Sequence, residues 1–382
     1  MKKLLVLCLA AAICTAAALS YPAAAETAAP HKQFTVQTEV WRTPYKPQGQ
    51  TGMCWAFSTT SFLESELKRL GRGEFELSQV YIAYNAYLEK VRRYVYRQGG
   101  GVFGQGGLPH DVIHIMRTRG AVPLGVYNGL LPGRERHAHK EMFAILRGVL
   151  EGVVAAGNDG ELSGGWSDGT LESHWFDDVR DILDNHLGAP PERFDYRGRS
   201  VTPLQFADEI LKLPYDDYIE ITAYSYLPRN RTGELLLHDN WLHYDRYYNL
   251  SLDDYIAVID HALENGYSLV LDLHTTKELY TSLSGVAELS EDLEAEGIGQ
   301  DARDTMLEEW KTTDVHLVHC VGIATDETGG RYYMVKDSWG ADEGPYKNLE
   351  YLSEAFVRAK ALFIMVHKDG VPRDIRTELG IE

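Results

Sequence analysis

The stretch T-P-Y-K-P-Q-G-Q-T-G-M-C-W-A-F-S-T-T-S-F-L-E, from Thr43 to Glu64, decides the fold. Its first half is rich in proline and glycine, which predicts a loop, and its second half carries Phe57, Phe62 and Leu63 at helical spacing. We therefore expect Cys54 at or near the start of a helix. Unpaired N–H groups and the positive end of the helix dipole favour a thiolate at such a position.

Gln48 comes shortly before Cys54 in the same loop. If the loop turns back, the side-chain amide of Gln48 returns to the cysteine and supplies a hydrogen-bond donor where charge develops in acyl transfer. The segment thus predicts a cysteine nucleophile with an oxyanion donor beside it. The competing interpretation is that Cys54 is an ordinary buried thiol.

Length, composition and charge limit which classes of protein this chain can belong to. The chain has 382 residues, 44% of them apolar, which is enough for a sizeable core in one large domain or two lobes. Its formal net charge is −19 and it has no basic stripe, so nucleic acid is not an expected partner. The acidity is interpreted as a contribution to solubility.

The first 25 residues have the pattern of a signal peptide. Lys2 and Lys3 precede an apolar run over residues 4–19, and Ala23, Ala24 and Ala25 follow as a small-residue cleavage site. A membrane anchor is the alternative, but the run is short for a membrane span. We expect an exported protein, secreted or periplasmic, with residues 26–382 as a single domain.

Removal of that segment leaves two cysteines, Cys54 and Cys320. Two cysteines in an exported chain of this length do not make a disulfide scaffold. They are able to pair with each other, but a nucleophilic role requires Cys54 to be free.

Periodicity and turn signals predict a helical first part and a β-rich last part. A glycine-rich loop over residues 98–109 lacks the βαβ context of a nucleotide cradle, so we interpret Gly106 and Gly107 as allowing close approach of an extended substrate chain. The predicted helices are at about 80–94, 110–119, 137–154, 171–187, 203–211 and 253–265, and the predicted strands at 219–223, 268–273, 316–324, 331–339 and 361–367.

A cysteine nucleophile needs a base, and histidine is the usual base near neutral pH. His316 and His319 lie on one predicted strand, three residues apart, so they should point to opposite faces. Asp337, on the next strand of the hairpin, is available to accept a hydrogen bond from the base. Trp339, two residues further on, should lie on the same side and shield that hydrogen bond from water.

These segments resemble those of papain-like cysteine peptidases. Gln48-Gly49-X-X-Gly52-X-Cys54-Trp55-Ala56-Phe57-Ser58 is similar to the family's nucleophile segment, and His316-X-X-X-X-Val321-Gly322 with Lys336-Asp337-Ser338-Trp339-Gly340 is similar to its His and Asn-Ser-Trp-Gly segments. By position, the resemblance implies Gln48 as oxyanion donor, Cys54 as nucleophile, His316 as general base and acid, and Asp337 as the orienting residue. His316 fits the family spacing to Gly322, and His319 does not.

The long separation of Cys54 from His316 narrows the resemblance to the bleomycin hydrolase/aminopeptidase C branch. Landmarks similar to that branch follow in order, at residues 75–79, 187–194, 202–206, 239–241 and 248–253. The resemblance implies an α+β, papain-like two-lobed fold: a helical lobe at about 50–126, a large helical insertion at about 127–306, and a β-barrel-like lobe at about 307–370 together with the N-terminal segment.

Two departures from that pattern bear on mechanism. Asp337 stands where the family has asparagine, and its charge should raise the pKa of His316 and move the alkaline limb of activity upward. In the family the last residues block the cleft and make the enzyme an aminopeptidase. The tail here, from Arg376 to Glu382, is acidic at its end and could meet a substrate ammonium in the same way.

The sequence therefore predicts an exported cysteine peptidase of peptide substrates, an aminopeptidase by resemblance, with catalytic Cys54, His316, Asp337 and Gln48. Gly106, Gly107 and Trp339 are its predicted substrate-binding residues. It implies no cofactor and no metal, and it leaves open whether the chain forms a homo-oligomer. Two alternatives remain: an endopeptidase with an open cleft, and a catalytically silent papain-fold binding protein.

Overall fold

The computed structural model describes residues 31–159, 174–276, 284–339 and 345–381. The predicted signal peptide, and the start of the helix predicted at 171–187, lie outside these ranges. The helices are α1 (Cys54–Arg69), α2 (Gln79–Tyr96), α3 (Pro109–Arg119), α4 (Lys140–Asn158), α5 (His174–Leu187), α6 (Pro203–Gln205), α7 (Leu252–Glu264), α8 (Glu291–Glu296), α9 (Gln300–Glu308), α10 (Glu354–Lys360) and α11 (Arg373–Leu379).

The strands are β1 (Phe34–Glu39), β2 (Phe194–Tyr196), β3 (Arg199–Val201), β4 (Tyr218–Thr222), β5 (Thr232–Gly233), β6 (Tyr247–Asn249), β7 (Leu269–Leu273), β8 (Val286–Ala287), β9 (His316–Asp326), β10 (Arg331–Lys336), β11 (Leu349–Ser353) and β12 (Ala361–His367). The described residues thus form a mixed α+β fold.

The central helix α1 is buried along nearly its whole length. Trp55 and Phe62 are fully buried, and only the last turn of α1 reaches solvent. The next helix, α2, begins at the predicted cap, because Ser78 accepts a hydrogen bond from the N–H of Tyr81 at 3.0 Å. An apolar helix enclosed in this way holds its first residue, Cys54, in a fixed position.

One sheet supplies the other half of the fold. Its strand order is β5-β6-β4-β12-β7-β9-β10-β11-β8, with β1 paired to the far end of β9. The long strand β9 pairs antiparallel with both β7 and β10. Five of the strands, β4, β5, β6, β7 and β8, come from the segment predicted as a helical insertion, so that segment also completes the sheet.

The two faces of the sheet bury different cores. On β12, Phe363 and Met365 belong to the apolar cluster that contains α1 and α2, whereas Ile364 and Val366 belong to the cluster that contains α7. Because side chains alternate along a strand, α1 and α7 lie on opposite faces of the sheet. The boundary between the helical lobe and the sheet is therefore the face that carries Phe363.

Two predicted boundaries are wrong for identifiable reasons. The helix predicted from residue 137 begins only at Lys140, because His137 and His139 instead bridge to Gln50 through backbone hydrogen bonds of 2.8 and 3.3 Å. The strand predicted to Trp339 ends at Lys336, so Asp337 and Trp339 lie beyond it. Strand alternation therefore does not place these two side chains on one side.

The C-terminal helix α11 packs on the face of the sheet away from α1. Ile375 is buried in the cluster that contains α7, and Leu379 and Ile381 pack against the same cluster. Through Ile381, the tail therefore does not enter the cleft beside Cys54, contrary to the role that the resemblance offered for it. No helix in the described part of the chain combines the length and apolarity needed to cross a membrane.

Candidate active site

Cys54 is the first residue of α1, as predicted. Met53 precedes it as the cap, and 7% of the Cys54 surface remains exposed. The N–H groups of Ala56 and Phe57 donate to the carbonyl of Met53 at 2.9 and 3.1 Å, and the positive end of the helix dipole lies at Cys54. Cys54 and Cys320 are both free, and burial raises the pKa of Cys320 to about 12.

His316 lies between Cys54 and Asp337. Its Nε2 is 2.7 Å from Oδ1 of Asp337, and it also hydrogen-bonds the thiol of Cys54, for which Nδ1 is the nitrogen left. Burial opposes the imidazolium, but the Asp337 carboxylate and Cys54 outweigh it and hold the pKa of His316 well above its ordinary value. The three side chains have the arrangement of a nucleophile, a base and an orienting group.

His319 has a different role from His316. Its Nδ1 lies 2.9 Å from the hydroxyl of Ser61, two turns along α1 from Cys54, and the ring is fully buried. Burial, with the positive charge of Lys336, holds the pKa of His319 well below its ordinary value. A neutral, enclosed imidazole of this kind is a packing residue, which agrees with the choice of His316 as the base.

Gln48 is held in the loop that leads to Cys54. Its Nε2 donates to the carbonyl of Thr51 at 2.6 Å, and its Oε1 accepts from the hydroxyl of Ser338 at 2.6 Å. The hydroxyl of Thr51 in turn donates to the backbone carbonyl of Gln48 at 2.8 Å. These bonds fix the amide orientation and leave one N–H of Nε2 for an oxyanion.

The glycine loop packs against the start of α1. The side chain of Gln105 accepts from the N–H of Gly52 at 2.9 Å, and its backbone carbonyl accepts from the indole N–H of Trp55 at 2.9 Å. The buried ammonium of Lys90 donates to the carbonyls of Gly104 and Gly106. This loop is therefore fixed beside Cys54, as the predicted substrate-binding role of Gly106 and Gly107 requires.

Both glycines of the predicted pair stand where no side chain fits. A Cβ on Gly106 would lie 1.8 Å from Oδ2 of Asp239, and a Cβ on Gly107 would lie 2.8 Å from the ring of Trp55. Both contacts are shorter than the 3.0 Å below which real Cβ contacts essentially do not occur, and the one at Gly106 is far shorter. A side chain at either position would displace the loop or its neighbours.

We predict that Gly106→Ala lowers kcat/KM by at least about tenfold, because the new methyl group must displace Asp239 or the loop, and small shifts of binding groups are costly in catalysis. Gly104→Ala is the matched control in the same loop, since a Cβ there meets nothing within 4 Å. Steady-state hydrolysis of a peptide substrate by both variants checks this. If Gly106→Ala and Gly104→Ala hydrolysed the peptide at equal rates, the glycine pair would not be part of the substrate site.

Trp339 is 52% exposed and lies past the end of β10. Asp337 and His316 are only 3% and 5% exposed, so the hydrogen bond between them is shielded even though the tryptophan is half open to solvent. An exposed indole beside Asp337 offers an apolar surface to a substrate. The substrate-binding role of Trp339 therefore stays a proposal.

The prediction missed three aspartates that lie near these residues. Asp272 on β7 pairs across the sheet with Leu317, the neighbour of His316, and its carboxyl group interacts with Asp314 and Cys54. Asp239 lies against Gly106. One signal was available in the sequence, because Asp272 interrupts the apolar strand Leu269–Leu273. A charged residue in such a strand is rarely buried without a structural or functional role.

Comparison with known proteins gives a family for part of the chain and a similar fold for most of it. A model of the Peptidase C1-like family matches residues 5–98, the part of the chain that carries Gln48 and Cys54. No curated protein matches the chain. The structure of PepW from Lactobacillus rhamnosis is similar over 91% of this chain and 84% of that chain, with 19% sequence identity and a TM-score of 0.69.

More distant structures include two proteases. The bromelain protease of Ananas comosus matches over 85% of this chain and 92% of that chain, at 13% identity and a TM-score of 0.37. The clostridial cysteine protease Cwp84 matches over 85% of this chain and 54% of that chain, at 14% identity and a TM-score of 0.39. The papain-like fold predicted from the sequence, and the resemblance to papain-like cysteine peptidases, are confirmed by the family model and the PepW fold.

Proposed function

We propose that this chain, which has the fold of papain-like cysteine peptidases, hydrolyses peptide bonds through a thiolate–imidazolium pair formed by Cys54 and His316. The observation that carries the proposal is the contact of His316 with both the thiol and the Asp337 carboxylate, at the N-terminus of a buried helix. A raised pKa of His316 keeps the proton on the imidazole and the charge on sulfur.

Attack on the substrate uses the groups around Cys54. The sulfur forms a bond to the scissile carbonyl carbon, and the electron pair of the C=O bond moves to oxygen. The N–H of Cys54 and the free N–H of Gln48 donate to that oxyanion. Because both donors are fixed before reaction, they stabilise the developing charge without reorganisation.

Breakdown of the intermediate uses the proton on His316. The oxyanion pair returns to re-form C=O, the C–N bond breaks, and Nδ1 of His316 protonates the leaving amine. Water then gives a proton to His316 and attacks the thioester. Collapse of this second intermediate releases the carboxylic acid and restores the thiolate–imidazolium pair. Asp337 holds the ring in orientation throughout.

The test of this proposal is covalent labelling. A peptidyl epoxide should alkylate Cys54 in the wild-type protein, and His316→Asn should slow that labelling by about a hundredfold or more, because the thiolate loses its counter-charge. Mass spectrometry of tryptic peptides locates the label. Cys320→Ala is the matched control and should leave the rate unchanged, since Cys320 is fully buried on the other face of the sheet.

Labelling of Cys54 at the same rate without His316 would contradict the proposed pair. Absence of both labelling and hydrolysis would instead favour the silent binding protein. The 2.7 Å contact between His316 and Asp337 supports the peptidase over that alternative, because an orienting residue must accept from the imidazole in this way.

We propose the aminopeptidase mode for the finer specificity. Its support is the resemblance to the bleomycin hydrolase/aminopeptidase C branch, together with carboxyl groups near Cys54 that suit a substrate with a free amino end. The tail does not supply this group in the described residues, because α11 packs on the opposite face. The amino-end anchor must therefore come from within the cleft.

Matched peptides with free and acetylated N-termini test this mode. We expect kcat/KM to fall by at least about tenfold on acetylation, since a buried carboxyl loses its charged hydrogen-bond partner. A fluorogenic amide at the carboxyl side of the scissile residue gives the readout. Equal cleavage of the blocked peptides would support the open-cleft endopeptidase and reject the aminopeptidase.

A further inference from the structure

Asp272 and Asp314 form a buried carboxyl pair on the cleft side of the sheet. Asp272 is fully buried in β7, and it shares the face of Leu317 and Phe363, which belong to the cluster containing α1. Its carboxyl group interacts with that of Asp314, which lies two residues before His316. Two acids in contact away from water must share a proton.

Few donors reach the pair. The backbone N–H of Asp239 donates to Asp314, but apart from the shared proton neither carboxyl oxygen of Asp272, nor Oδ2 of Asp314, accepts a hydrogen bond from a donor among the residues that the structure describes. Buried polar atoms nearly always have a partner, and an ionised carboxylate accepts several hydrogen bonds. Asp272 is fully enclosed and has only the shared proton as a donor, so its remaining acceptor sites suit a cationic or hydrogen-bonding ligand.

The surroundings place that ligand in the substrate cleft. Asp272 lies within electrostatic range of Cys54, and Asp239, against Gly106, acts on both members of the pair. Lys90 is the nearby cation, but its ammonium is bound to the carbonyls of Gly104 and Gly106. The pair thus lies near the nucleophile and near Asp239 at the glycine loop, and Lys90 offsets its negative charge only in part.

A metal ion does not suit this position. In the described ranges, no three His, Cys, Asp or Glu side chains converge as ligands of a metal would. An alkylammonium needs fewer acceptors, because it donates up to three hydrogen bonds and is satisfied by one or two carboxylates and a carbonyl.

We propose that Asp272 and Asp314, assisted by Asp239, bind a protonated amine of the peptide substrate, and that this amine is normally the free N-terminus. This proposal rests on the proposed peptidase function. In it the carboxyl pair, rather than the C-terminal tail, holds the amino end of the substrate. Bound ammonium takes the place of the shared proton, which passes to water, and donates to both carboxylates. Without substrate, burial raises the pKa of Asp314 to about 7 and that of Asp272 well above its ordinary range, so the pair keeps its shared proton and opposes the Cys54 thiolate less than two carboxylates would.

The experiment measures binding in a protein that cannot turn over. In Cys54→Ala, calorimetry would compare a peptide with a free N-terminus, its acetylated form, and an acetylated form carrying lysine. Asp272→Asn is then added, because asparagine keeps the volume of the neutral acid and still donates to Asp314. Asp216→Asn, an exposed aspartate paired with Arg117, is the control.

We expect Asp272→Asn to weaken binding of the peptide with a free N-terminus by at least about tenfold. The affinity for the acetylated peptide should be unchanged. If binding of the acetylated lysine peptide is the one that weakens, the bound amine comes from a side chain. The carboxyl pair then still binds an ammonium group, but not that of the N-terminus. Equal affinities of all three peptides for both proteins would overturn the inference. Asp314→Asn repeats the test if Asp272→Asn fails to fold.

The two proposals fail separately. Labelling of Cys54 and peptide hydrolysis in the wild-type protein report the peptidase function. The affinity difference in Cys54→Ala reports the ammonium site without any turnover. A hydrolase that binds free and blocked peptides equally well retains the first proposal and loses the second.

Discussion

Replacing Cys54 with alanine is expected to reduce kcat/KM for a peptide substrate on the order of 10⁵-fold, because no other group in the site attacks the carbonyl carbon. Gln48 and the backbone N–H of residue 54 remain and still polarise the carbonyl, which leaves a small residual rate. Cys54→Ser should be nearly as inactive, since His316 is arranged to form an ion pair with a thiolate rather than to activate an alcohol. Stopped assays with high protein concentration measure both rates.

The control for this loss is the fold. Cys54 is buried, so alanine removes one buried sulfur and costs about 1 kcal/mol of unfolding free energy. A thermal unfolding curve close to that of the wild type would show that the activity was lost for chemical reasons. Turnover within tenfold of the wild type would remove Cys54 from the mechanism.

The sequence was sufficient for the elements whose formation is local. Ser78 begins α2 as its cap, Thr202 and Pro203 begin α6, and α1 begins at Cys54. In each case the cap and the apolar spacing lie within one or two turns. The pairing of His316 with Asp337 was also predictable, because the turn over residues 326–330 joins their strands.

Features fixed by distant parts of the chain were not predictable in this way. The late start of α4 depends on Gln50, almost ninety residues earlier, whose backbone hydrogen bonds to His137 and His139 hold this segment outside the helix. The position of Asp272 depends on β7 lying beside β9, and on the register that pairs it with Leu317. A one-residue slip would have turned that carboxyl group to the α7 face.

The same reasoning explains why the tail was misplaced. Arg376 to Ile381 reads as a short polar segment, and only the resemblance suggested a position for it. In the structure Ile375 and Leu379 lie on one side of α11, and the apolar surface beside α7 accepts them. Burial of apolar area away from the cleft thus decides the position of the C-terminal segment.

Replacing Asp337 with alanine is the second large effect that we expect, a loss on the order of 10³-fold in kcat/KM. The imidazole of His316 would lose the carboxylate partner of its Nε2, which weakens both its orientation toward Cys54 and the stabilisation of the imidazolium. Ser338 would also lose the acceptor of its N–H, now 2.6 Å from Oδ1.

Asp337→Asn separates orientation from charge. The amide oxygen still accepts from Nε2, so most of the activity should remain, but the negative charge that raises the pKa of His316 is gone. The pKa of His316 therefore falls, and the ion pair with Cys54 loses its proton at a lower pH. The alkaline limb of kcat/KM should move to lower pH in this variant. An unchanged limb would mean that Asp337 holds the ring but does not set its charge.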